Sequence, residues 1–192
     1  MRLARTFPYA ERAAAAREAM AAIRPTFAAV TDRWNLADPN TIAWKHAIAT
    51  AWAAIDAAYP PGYRAAFEDL RAGDGSSIDL LIAFLEADPM FFRSGYEKER
   101  LLQRLKRAPL EPEQAERLRG VVTLIVRTRD AREFRYYCRL AHRVDAPALR
   151  ATLAGLAADP DNDQRRRATW MLDSLDHAAR AARGRQANAA TP

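Results

Sequence analysis

The chain has 192 residues, 49% hydrophobic and 28% charged, which suits one core-forming domain with at most a small appendage and excludes a disordered or collagen-like chain. It has one cysteine, so no internal disulfide; no apolar run approaches a membrane span, and the N-terminus M-R-L-A-R-T-F-P-Y-A-E-R lacks a signal-type apolar region, so a cytoplasmic location is the expectation. The net charge of +6 is uneven: residues 1–90 hold 9 Lys/Arg against 11 Asp/Glu, whereas residues 91–150 hold 15 against 8, a bias that favours an anionic partner.

Only 7 glycines are present and alanine, leucine, arginine and glutamate abound, so the composition leans to helix. Pro8 opens a first helix near position N1, running to about Ile23. Pro25 interrupts it, and Phe27, Val30 and Trp34 suggest a short second helix. Asp38-Pro39-Asn40-Thr41 is a start signal for a helix to about Tyr59. Trp44, Ile48, Trp52 and Ile55 recur at helical spacing and read as one core-facing stripe. Pro60-Pro61-Gly62 stops that helix, and a short one carrying Tyr63, Phe67 and Leu70 follows.

Gly73–Ser77 is the expected seam between an N-terminal part, residues 1–72, and a C-terminal part, residues 76–183. Ser76 with Asp79, and Ser94 with Glu97, have the S-x-x-D/E form of capping boxes. The second opens a helix at Gly95 or Tyr96 with Leu101, Leu102 and Leu105 inside. Its outer row is Arg100, Arg104 and Arg107, with Arg93 and Lys98 adding to the basic surface. Glu111, Glu113 and Glu116 suit the positive end of a helix to about Thr128. Val121–Val126 also has strand propensity, but helical patterning flanks it on both sides.

Asp130 is placed to cap the stretch A-R-E-F-R-Y-Y-C-R-L-A-H-R-V, residues 131–144. On a helix Arg132, Arg135, Arg139 and Arg143 fall within roughly 80° of one another, with Tyr136 on the same side. Apolar residues fill the opposite arc. Three A-D-P triplets, at Ala37, Ala87 and Ala158, repeat one turn chemistry at helix junctions. After Asp176 the last helix continues to about Arg183, and residues 184–192 read as a disordered tail.

In residues 147–175, Leu149, Leu153 and Leu156 mark a first helix and Asp159-Pro160 a turn. Arg165 or Arg166 stands near the start of a second helix, whose inner face carries Ala168, Leu172 and Leu175. This unit resembles a HEAT-type helical repeat, departing from it at Gln164-Arg165 and at the bulky Trp170. The resemblance implies helix pairs that stack on neighbours and a surface that binds other macromolecules, DNA among them. The expected fold is all-α: about eight or nine helices in antiparallel hairpins, stacked as a HEAT-like right-handed bundle or short solenoid.

Arginine rows are the usual footprint of phosphate or carboxylate binding, because the planar guanidinium grips either through paired hydrogen bonds. The alternative is a solvated face, or arginines paired with acids on neighbouring helices. Cys138 and His142, at i and i+4, are the minimum for thiol chemistry, yet Cys138 projects into the apolar arc and reads as structural. Asp159, Asp161 and Asp163 alternate like the start of a calcium loop, but Gln164 and Trp170 break that pattern, so they read as caps. No metal or cofactor motif is found. The leading expectation is a non-catalytic interaction module docking an acidic partner protein through the arginine face. The alternatives are binding of DNA or RNA backbone by that face, with Tyr96 and Tyr136 stacking on bases, and a small enzyme using Cys138 or scattered acids.

Overall fold

A computed structural model describes residues 7–189, and side chains there except those of residue 185 and residues 187–189. Among these residues there are nine helices and no strands. They are α1 (Tyr9–Ala28), α2 (Pro39–Ala57), α3 (Tyr63–Ala72), α4 (Ile78–Ala87), α5 (Ser94–Leu105), α6 (Pro112–Thr128), α7 (Phe134–Arg143), α8 (Pro147–Ala157) and α9 (Asn162–Ala189). None is long and apolar enough to cross a membrane. The β-branched run of α6 is helical, and Glu111 and Gln114 form a reciprocal capping box at its start.

Several local expectations need correction. Pro25 does not break α1, which runs on to Ala28. Proline removes one backbone donor, but Thr26 donates its hydroxyl to the carbonyls of Ala22 at 3.0 Å and Ile23 at 2.9 Å, and only one turn remains. No helix forms around Val30–Trp34. Neither S-x-x-D/E motif closes a capping box. Ser77 caps α4 without a side-chain bond, and Arg93, in the left-handed conformation, precedes α5. Ser94 Oγ instead accepts from the Phe91 amide at 3.1 Å. Asp130 does not cap α7, which begins at Phe134; its carboxylate pairs with Arg166 and Arg167 of α9. Helix α9 continues past Arg183 to Ala189 because that segment is rich in alanine and free of proline.

Helices α3 to α9 build the body. Each of α3 to α7 packs against the helix two further on, so that α3, α5, α7 and α9 line one side and α4, α6 and α8 the other. The core runs through both sides, with Phe84, Leu101, Leu102, Leu105, Leu118 and Tyr137 fully enclosed. Each such side chain contributes roughly 1.5–3 kcal/mol. Arg167 is buried as well, donating from Nε to the Val126 carbonyl at 2.7 Å and from Nη2 to Arg127 at 3.3 Å, which satisfies the C-terminal end of α6.

Helices α1 and α2 pair chiefly with each other. Only their body-side ends reach the core, through Tyr9, Ala13 and Ala16 on α1 and Ala51 and Ile55 on α2. The reading of Trp44, Ile48, Trp52 and Ile55 as one core stripe is therefore right only for Ile55. Trp44 and Ile48 are half-buried and Trp52 is 45% exposed, because the hairpin overhangs the body.

Candidate functional site

The two arginine rows lie on neighbouring helices, α5 and α7, that run in parallel. At their N-terminal ends the Arg132 guanidinium sits 3.9 Å from the centre of the Tyr96 ring and pairs with Glu99 at 3.4 Å. At their C-terminal ends Arg143 donates to the Ala108 carbonyl at 3.3 Å. Between these contacts α7 turns Tyr136, Tyr137 and Leu140 into the core and keeps Arg135, Arg139 and Arg143 exposed. Its other flank meets α9, where Phe134 packs edge-on against Trp170 and His142 shares a 2.8 Å hydrogen bond with Ser174. The arginine stripe of α7 thus fills the strip left open between α5 and α9, with Arg104 on the exposed face of α5 and Arg107 exposed in the turn just after it.

What marks this strip is that its unpaired cations stand together. Among the described residues, Arg104, Arg107, Arg135, Arg139 and Arg143 have no carboxylate partner. Elsewhere acids hold Arg117 between Asp79 and Glu86, Arg150 between Asp145 and Asp176, and Arg166 between Asp130 and Asp163. Clustered cations without counter-charges repel one another, and an anionic ligand relieves that repulsion.

Two residues expected on the basic face are not available to a ligand. Tyr136 is buried; its hydroxyl accepts from Arg135 at 2.8 Å, and Arg135 and Arg139 cover its ring. Lys98 is fully buried and donates to Asp88 Oδ1 at 2.5 Å. Asp88 also takes a two-pronged grip from Arg129, at 2.9 and 2.8 Å, and Arg129 reaches Glu133 at 3.2 Å. Burial works to raise the Asp88 carboxyl, but the hydrogen bond from Arg129 and the charge of Lys98 outweigh it and hold it below the ordinary aspartate range. This four-membered network ties the α4–α5 turn to the α6–α7 turn.

Arg93 and Arg100 lie along a cleft of about 710 Å³ between α2, α3 and α5. Its floor is aromatic, with Trp52, Tyr59, Tyr63 and Phe67. The Arg100 guanidinium stands 5.0 Å from the centre of the Phe67 ring and pairs with Glu97 at 2.9 Å, while Arg64 pairs with Asp56 at 2.6 Å. Sequence reasoning missed this cleft because its walls come from three segments with no shared motif. The Pro60-Pro61-Gly62 stop between α2 and α3 was the available signal.

The other candidates resolve simply. Cys138 is buried, and burial pushes its thiol up to about 11. Burial outweighs the hydrogen bond that Ser174 offers the thiol, and burial also lowers His142. Native protein is expected to resist a thiol-specific reagent at pH 8 and to react fully once unfolded; rapid labelling of the native state would show an accessible Cys138. Asp161 accepts from the amides of Asp163 at 2.8 Å and Gln164 at 3.0 Å, a helix cap, and these bonds lower its carboxyl. No group of three or more metal-ligating side chains converges among the described residues.

Comparison of the chain with family models, with curated proteins and with solved structures finds no match.

Proposed function

We propose that the protein is an interaction module, and that the strip of unpaired arginines on α5 and α7 docks the acidic surface of a partner protein. The observation that carries this reading is the grouping: five arginines with no carboxylate partner among the described residues stand together on this strip, whereas Arg117, Arg150 and Arg166 elsewhere in the body are each held between two acids. Helices packed two apart, in two rows, favour the HEAT-like stacking that residues 147–175 suggest, since such stacks present one continuous face to a macromolecule. A reducing, cytoplasmic setting suits the lone buried cysteine.

The competing ligand is nucleic-acid backbone, which the same arginines would grip. Stacking on unpaired bases is disfavoured, because Tyr136 is buried and Arg132 covers a face of Tyr96. A salt series separates the two. The expected result is binding to an acidic, aspartate- and glutamate-rich polypeptide, with duplex DNA and single-stranded RNA bound more weakly at about 0.15 M salt. Nucleic-acid binding that is tighter than polypeptide binding, and that falls steeply with salt, would assign the strip to phosphate backbone. No binding to either at low salt would remove the reading.

A further inference from the structure

Where the α1–α2 hairpin overhangs the body, it leaves an open groove of about 580 Å³. Its base is formed by Met20, Ile23 and Phe27 from α1 and by Trp44, Ile48 and Trp52 from α2, and Phe92 closes one end against Trp52. The groove continues the two stripes that the body covers further along: Ala13 and Ala16 precede Met20 on α1, and Ala51 and Ile55 follow Ile48 on α2. The body covers the inner part of the hairpin's apolar face, and the outer part lies open. Phe27 is 51% exposed and Phe92 45%. Adjacent bulky apolar groups left in water on one face mark an interaction site rather than scattered surface residues.

The groove's own lining carries charge of one sign. Arg24 is its only charged lining residue. Arg93 follows Phe92 directly, on the cleft that shares Trp52, where Asp56 pairs with Arg64 and Glu97 with Arg100. Neither forms an ion pair among the described residues. Arg93 is also held at φ +68°, a left-handed conformation that strains a non-glycine residue. We infer that the groove receives an amphipathic helix of a partner protein, apolar along one face and flanked by acidic residues that meet Arg24 and Arg93. Apolar side chains at i, i+3 or i+4, and i+7 fill the aromatic base, as in other helix-in-groove recognition. This site is on a different face-forming pair of helices from the α5–α7 strip and does not depend on it.

The probes are two designed amphipathic helices of about five turns, with the same leucine face and either glutamate or lysine on the flanks. Binding is read by fluorescence anisotropy of the labelled peptide, and self-association of the protein by sedimentation. The glutamate helix is expected to bind at least tenfold tighter than the lysine helix. Arg24→Glu should abolish that preference. Arg93→Gly should weaken the glutamate helix severalfold while raising the melting temperature, which separates lost binding from lost folding. Ile48→Asp should remove binding of both. Equal affinity for the two helices, or none for either, would overturn the inference. So would a dimer of the protein alone that Ile48→Asp dissociates, because the occupant would then be a second copy. Loss of binding here, with the α5–α7 strip still engaging acidic polypeptide, would strike this inference alone.

Discussion

Asp88→Asn is expected to lower folding stability by about 3–5 kcal/mol, read as a fall in melting temperature of roughly 10 °C. The substitution keeps the side chain's shape, and asparagine tolerates the backbone at φ +41°. What it removes is the one carboxylate that Lys98 and Arg129 share. Lys98 is fully enclosed and then has a neutral amide oxygen and the thioether of Met90, 3.6 Å away, where it had a negative charge. Lys98→Met should cost clearly less, because Asp88 keeps both bonds from Arg129 and the new side chain is apolar. If Asp88→Asn were as mild as an ordinary surface change, the network would not be holding the two turns together.

The same carboxylate gives a pH signature. Its value in the folded protein lies below its ordinary value near 4. The unfolded chain therefore takes up this proton first as pH falls. The stabilisation is complete above about pH 4 and is lost as pH drops through the folded value. Acid unfolding of the Asp88→Asn variant should show a shallower dependence on pH in that range than the wild type. An unchanged slope would mean that other carboxylates carry the acid sensitivity.

Much of the helical order was legible in the sequence because local rules decide it. Pro60-Pro61-Gly62 ends one helix and opens the next, Asp38 accepts from the amides of Asn40 and Thr41 as an N-cap should, and Leu101, Leu102 and Leu105 repeat on one face. What failed depends on partners distant in sequence. The three A-D-P triplets look alike, yet Asp38 caps α2, Asp159 accepts from the Asp161 amide, and Asp88 turns inward to meet Lys98 and Arg129. Lys98 carried a readable signal, since it stands one turn ahead of Leu101 and Leu102 on their buried face. Reading it as surface followed from its charge and ignored its place on the helix. Trp44, Ile48 and Trp52 were correctly seen as a face, but periodicity says nothing of what covers a face. In residues 147–175 the enclosed arginine is Arg167, whose guanidinium meets the end of α6, a role no local pattern marks.

For the arginine strip, the decisive variant is Arg135→Glu with Arg139→Glu. Affinity for the acidic polypeptide is expected to fall by about a hundredfold or more, since two attractions become repulsions at the middle of the strip. Stability should change by no more than about 1 kcal/mol. Neither guanidinium has a carboxylate to abandon, and the main internal loss is the bond from Arg135 to the Tyr136 hydroxyl. Removing like charges from a crowded row even works in the fold's favour. Arg150→Glu is the matching control: it reverses a charge already held by Asp145 and Asp176, outside the strip, so it should disturb the fold more and binding less. If Arg150→Glu, with half the change in charge, weakened binding by half as much on a logarithmic scale, net charge alone would account for affinity. If the double variant unfolded the protein, those side chains would be part of its scaffold. The expected pattern, strong loss of binding with an intact melting transition for one and the reverse for the other, follows only if the unpaired guanidinium groups of α7 meet the partner directly.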